Sequence, residues 1–106
     1  MEGLKIQISE FAEAELLKEC LFHAEHYSEK YAERFRIEFY KQVTTIGPNP
    51  MVYPECRFLP TQKKVYRNII WGNYLIIYRI KANVVRVLTL FHTKQHPSKI
   101  KRIRSR

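Results

Sequence analysis

VYRNIIWGNYLIIYRIKANVVRVLTLFH, Val65 to His92, is the stretch on which the reading of this chain turns. Three runs in it, VYRNIIW, YLIIYRI and VVRVLTLF, are dense in β-branched and aromatic residues, as strands are. Gly72-Asn73 separates the first two and predicts a two-residue hairpin turn, because glycine takes positive φ at no steric cost and asparagine takes it cheaply. Ala82-Asn83 is a weaker signal of the same kind between the second and third runs. A three-stranded meander needs cover on at least one face, and the residues before it must supply that cover.

Upstream, Leu4, Ile6 and Ile8 alternate with Lys5 and Gln7, the pattern of a short strand with one buried face. Ser9 is a good N-cap, and Glu10, Glu13 and Glu15 fall where the helix dipole favours negative charge. The pattern predicts a first helix over Glu10–Tyr27 with Ala14, Leu17, Leu21 and Ala24 as its buried stripe and Cys20 beside them. Ser28 caps a second helix over Glu29–Ile46, whose stripe is Ala32, Phe35, Phe39, Val43 and Ile46; Gly47-Pro48 ends it. The short link makes the two helices antiparallel neighbours. Gly47 to Gln62 reads as a proline-punctuated loop. Thr93 to Arg106, with six Lys/Arg and His96, reads as a basic tail, or a segment ordered on a partner, that adds little to folding. The order is β-α-α-β-β-β in one domain over residues 1–106. That is an α+β fold, a helical hairpin packed on one face of a mostly antiparallel four-stranded sheet.

Two-residue turns assign the faces of the meander. Val65, Ile69, Trp71, Tyr74, Ile76, Tyr78, Ile80, Val85, Val87 and Phe91 point one way and call for the helices; Arg67 is out of place among them and belongs near a rim. Lys64, Tyr66, Asn68, Ile70, Leu75, Ile77, Arg79, Arg86, Leu88, Leu90 and His92 point the other way. Arg79 and Arg86 then stand directly opposite each other and repel unless an anion lies between them. A half-apolar, half-basic face without a second layer reads as a docking surface.

The charge is the strongest compositional fact: 19 Lys+Arg against 10 acidic residues, a net charge of +9. Nine of the ten acids, all Glu, lie before Phe39, so the rest of the chain is strongly basic and calls for a polyanionic partner. No apolar run is long enough to span a membrane, and the N-terminus has no signal-peptide core, which leaves the cytoplasm as the expected location. Three glycines exclude a glycine-rich phosphate loop, and no cofactor is expected. Cys20 and Cys56 lack metal-ligand spacing; His23 and His26 have an i, i+3 spacing but no further ligand beside them, so no metal is expected either. His92, near Lys94 and with Arg79 and Arg86 on the same face, has the chemistry of a general acid or base on RNA, and also that of a capping or partner-contacting residue.

Gly72-Asn73-Tyr74-Leu75-Ile76-Ile77-Tyr78-Arg79-Ile80, then Val84-Val85-Arg86-Val87-Leu88-Thr89-Leu90-Phe91-His92, then Gln95-His96-Pro97 resemble, in order and spacing, the RelE/ParE superfamily of toxins from type II toxin–antitoxin pairs. The resemblance implies a growth-inhibiting, plasmid-stabilising toxin held in a hetero-oligomer by an acidic antitoxin. RelE-like members are ribosome-dependent mRNA endoribonucleases that use an Arg just after the first hairpin turn and a Tyr or His near the C-terminus. Here Leu75 holds the first position and no Tyr follows Tyr78, so a nuclease would rest on His92, Lys94, Arg79 and Arg86. ParE-like members lack that set and are linked to inhibition of DNA gyrase, and the resemblance is to these. The surface expected to meet antitoxin or target is Tyr66, Leu75, Ile77, Arg79, Arg86, Leu88, Leu90, His92 and Lys94. The alternatives are a RelE-like nuclease acting on ribosome-bound mRNA and a non-enzymatic, basic nucleic-acid-binding module.

Overall fold

A parallel strand pair closes a sheet that is otherwise antiparallel. The computed structural model describes residues 4–105; Met1–Gly3 and Arg106, the ends of the expected domain and of the basic tail, lie outside the described residues. β1 (Lys5–Ile8) leads into α1 (Glu10–His26) and α2 (Glu29–Thr44). Then follow β2 (Tyr66–Trp71), β3 (Tyr74–Lys81), β4 (Val84–His92) and a short α3 (Ser98–Lys101) that runs into a 3₁₀ turn, Arg102–Ser105. The strand order is β1-β4-β3-β2, with β1 parallel to β4 and the two hairpins antiparallel. This is the α+β arrangement that the residues predict. Both turns have two residues, since Trp71 pairs with Tyr74 and Lys81 with Val84. Gly72 takes φ 58° freely, whereas Ala82 takes φ 53° against the clash of its own Cβ.

The second hairpin departs from simple alternation at one place. Tyr78 pairs with Val87 but Ile77 pairs with Thr89, so Leu88 is an extra residue in β4. Such a bulge exchanges the faces of the residues beyond it. Leu90, expected on the far face, is buried on the helix side, and Phe91, expected under the helices, is buried on the far side. His92 turns to the helix side, its ring 4.9 Å from that of Tyr74. Val65, which precedes β2, packs on the far side as well. The bulge is tied to the start of α1. Ser9 Oγ donates to the Leu88 carbonyl at 3.1 Å and accepts the Ala12 N–H at 3.0 Å, while the Ser9 N–H donates to the Val87 carbonyl at 2.9 Å.

That anchor sets the rotation of α1 and corrects its expected stripe. Ala12, Leu16 and His23 are buried and Cys20 half-buried against the sheet. Leu17 and Leu21, expected in the core, are 60% and 61% exposed, and Ala14 is exposed with them. The doublets Leu16-Leu17 and Cys20-Leu21 give α1 two apolar stripes, and the Ser9 cap selects the one that carries Leu16. α2 follows its expected stripe: Ala32, Phe35, Phe39 and Val43 are buried, as is Ile46 just beyond its end, and Phe35 stacks on Trp71 with centroids 4.7 Å apart. Behind α2, the Gly47 carbonyl accepts the Leu4 N–H at 3.0 Å, and a Cβ at Gly47 would meet Ile6 Cδ1 and the Leu4 carbonyl at 3.2 Å.

A polar tie runs through this layer. Tyr74 Oη donates to the Glu19 carboxylate at 2.6 Å and lies 3.1 Å from His23 Nε2. With its proton committed to Glu19, Tyr74 accepts from His23, which places the imidazole proton on Nε2. His23 Nδ1 is then a bare, buried nitrogen with no partner among the described residues. Burial pushes the His23 pKa down, His92 and His26 push it further, and Glu19 opposes them.

The face away from the helices, expected to be an open docking surface, is covered over part of its area. Cys56 and Leu59 of the proline-rich loop and Ile100 and Ile103 of the C-terminal segment are buried there with Tyr66, Ile77, Leu88 and Phe91. The loop wraps the β2 edge and is strapped from both sides. Arg67 Nη1 donates to the Met51 and Tyr53 carbonyls at 3.0 and 2.7 Å, and Tyr78 Oη to that of Pro50 at 2.6 Å. The Asn68 N–H donates to Pro54, and the Tyr66 carbonyl accepts from Cys56. Arg67, expected at a rim, is buried by this use. The expected basic tail is also corrected: Ile100 and Ile103, three apart in a helical turn, are core residues, while Lys99, Lys101 and Arg102 stay exposed.

Ile100→Ala should therefore destabilise by about 2–4 kcal/mol, as large-to-small changes in a closed core do, whereas Lys101→Ala should stay within about 0.5 kcal/mol; urea midpoints measure both. Ala82→Gly should stabilise by on the order of 1 kcal/mol by removing the left-handed strain, visible as a rise in Tm. Because His23 is depressed in the folded state, its contribution is intact above the unfolded value of about 6.5 and is lost as pH falls below it. His23→Gln keeps a donor for Tyr74 and should lose less stability than wild type between about pH 7 and pH 5, measured by urea unfolding at each pH.

Candidate functional site

Strand pairing assembles one lateral row of polar side chains on the far face. Gln7 pairs with Arg86, Arg86 with Arg79, and Arg79 with Tyr66, so the row crosses all four strands. The next row places Lys5 and Lys81 on either side of Val84. Ile6 and Ile8 pack towards the helices, which puts Lys5 and Gln7 on the far face with the arginines. Arg79 and Arg86 are half-buried, and Lys5 and Lys81 are exposed. Among the described residues no carboxylate offsets them, and the salt bridge found there is Arg36–Glu33 on α2. Arg79 Nε is buried without a hydrogen-bond partner among the described residues. The facing arginines were legible from the hairpin alone; Lys5 and Gln7 join them only through the parallel β1–β4 pairing, which local patterns do not reveal.

Of the other residues expected in the site, the structure brings few to this row. Ile77 and Leu88 are enclosed in the far-side core, Leu90 in the helix-side core, and Tyr66 is buried at the end of the row. His92 is opposite Tyr74 and Arg79 five residues further along β3, a separation of about 17 Å at strand rise, and the two side chains emerge on opposite faces. His92 Nδ1 accepts the Lys94 N–H at 3.0 Å and shapes the turn after β4. The four groups a nuclease would need therefore do not converge. Cys20 and Cys56 are free thiols that burial pushes up in pKa. Among the described residues no three His, Cys, Asp or Glu side chains gather as metal ligands.

Two apolar surfaces also face solvent, the first on a helix face expected to be buried and the second including Ile70 and Leu75, which were expected on the far face. On α1, Leu17 and Leu21 stand out with Phe22, 47% exposed. Near the β2–β3 turn a groove of about 410 Å³ is lined by Phe58, Ile70, Leu75 and Phe91, with Arg57 and Glu55 at its side. The α1 surface faces solvent because the Ser9 cap turns Leu16 inward in place of Leu17, and the bulge at Leu88 adds Phe91 to the wall of the groove.

A profile of the family described as "ParE toxin of type II toxin-antitoxin system, parDE" matches residues 6–97. No curated protein matches in sequence. Among solved structures, a chain titled "Chromosomal ParDE TA system from P. aeruginosa" superposes with a TM-score of 0.71 at 12% identity, covering 84% of this chain and 95% of that one. At that identity the likeness speaks for the fold alone. The profile spans most of the chain, from β1 to the start of the C-terminal segment, and so this protein belongs to the ParE toxin family of type II toxin–antitoxin systems.

Proposed function

We propose that this toxin acts by binding and not by cutting RNA, that DNA gyrase is its target, and that an acidic antitoxin neutralises it. The observation that carries the reading is the unpaired cation row. Arg79 and Arg86 face each other across adjacent strands with Lys5 and Lys81 in the neighbouring row, and among the described residues no carboxylate pairs with them. Like charges held this way cost stability, and the cost falls when a partner brings carboxylates between them. The separation of His92 and Lys94 from the arginines supports a surface that recognises rather than one that cleaves. Gyrase as the target rests on the family alone. Of the antitoxin contact expected at the start, Ile77, Leu88 and Leu90 are enclosed; we centre the contact on Arg79 and Arg86 and add Lys5 and Lys81, which were not in the expected set.

Induction of the chain alone should arrest growth, and co-expression of an acidic protein encoded beside it should restore growth. Purified protein should inhibit gyrase supercoiling and leave mRNA on translating ribosomes intact. Arg86→Gln should keep the fold, or stabilise it by a few tenths of a kcal/mol through relief of repulsion, yet weaken the antitoxin complex and flatten its salt dependence. Ribosome-dependent mRNA cleavage that disappears in His92→Ala would sink the proposal in favour of the nuclease reading.

A further inference from the structure

The β2 edge carries a second site that the cation row does not use. Along β2 the backbone groups of alternate residues face β3, and those of the residues between face outward. The Ile80 N–H donates to the Val65 carbonyl, which fixes the phase: Val65, Arg67, Ile69 and Trp71 bond inward, and Tyr66, Asn68 and Ile70 present their groups to the edge. The strapping loop takes the Tyr66 carbonyl, through Cys56, and the Asn68 N–H, through Pro54. It goes no further. The Asn68 carbonyl and both backbone groups of Ile70 meet no partner among the described residues.

Soluble proteins guard such an edge with a charge, a proline or a covering segment. Here the unguarded position holds isoleucine, 69% exposed. Beside it lies the groove of about 410 Å³ with Phe58, Leu75 and Phe91 in its wall. Open ladder groups next to an apolar pocket are the two halves of strand addition, in which the backbone supplies affinity and the pocket reads alternate side chains. The charge around the groove selects among peptides. Arg57 lies at its side, its guanidinium carbon 4.9 Å from the Phe58 ring centre. Glu55, the one acid there, has its carboxylate engaged by the Thr61 N–H at 3.2 Å. A second copy of this chain would bring the same arginine and a net charge of +9 against its like.

We infer that the open end of β2, Asn68 to Trp71, receives an extended segment of a partner protein, which adds as a strand, places an aliphatic side chain against Ile70, Leu75 and Phe58, and sets an acidic residue beside Arg57. This site does not depend on the toxin's target or on the cation row.

The probe is a short synthetic peptide alternating valine and glutamate, titrated into the full chain while backbone amide resonances and their hydrogen exchange are followed. The Ile70 amide should become protected and the Leu75 and Phe58 amides should shift. Ile70→Lys, a change at an exposed position that leaves Tm within a few degrees, should abolish these effects, and Arg57→Glu should weaken them at least about tenfold. A version of the peptide methylated at alternate backbone nitrogens keeps its charge and side chains but loses the ladder donors, and it should also bind at least about tenfold more weakly. Equal binding of the methylated peptide would overturn strand addition. A response confined to Arg79 and Arg86, or no response at Ile70 from either peptide, would overturn the site.

Discussion

The bond between Ser9 Oγ and the Leu88 carbonyl, 3.1 Å long, is the constraint on which the rest of this structure depends. It joins residues 79 apart and sets two periodicities at once. In β4 the extra residue at Leu88 inverts the alternation, so that Leu90 goes under the helices and Phe91 to the far side. In α1 the same hydroxyl accepts the Ala12 N–H and fixes the helix phase, so that Leu16 is buried and Leu17 is not. A buried hydroxyl with both a donor and an acceptor satisfied is an inexpensive way to hold a sheet and a helix in one register.

What could be read from residues alone follows from this. Strands, turns and helices are local, and Gly72-Asn73, Ser9, Ser28 and Gly47-Pro48 announced their positions. The α2 stripe was legible because Phe35, Phe39 and Val43 leave no rival face. The stripe on α1 was not, because two apolar faces compete there and the choice is made by a bond to a distant strand. Likewise Arg79 facing Arg86 follows from turn length, whereas the side on which Leu90, Phe91 and His92 lie depends on a bulge that valine, leucine and threonine do not advertise. Ile100 and Ile103 were hidden by the cations around them. Exposed lysines flanking a buried isoleucine look like a solvated tail until a sheet face is found beneath.

The two faces of the sheet are covered by different means. A helical hairpin closes one face with aromatic stacking and the Tyr74–Glu19 and Tyr74–His23 contacts. The other is closed by irregular chain, a loop strapped by Arg67 and Tyr78 and a C-terminal turn laid over Leu88. Irregular cover is what leaves the edge at Ile70 and the cation row at Arg79 and Arg86 uncovered. Both of the proposed partner surfaces lie where the second layer stops short.

The parallel pairing of β1 with β4 also bears on how the protein comes into being. On the ribosome β1 and both helices emerge first, yet their sheet partner is the last strand made, and the residues that close the far face, Ile100 and Ile103, come later still. Contacts between chain ends so far apart are slow to form and need almost the whole chain outside the exit tunnel. A nascent copy therefore has neither the assembled cation row nor the finished β2 edge while it is being translated. The proposed partner surfaces are completed together, only once β4 and the segment that follows it have left the tunnel, so a partner already in solution has the time taken to make the preceding strands in which to be waiting.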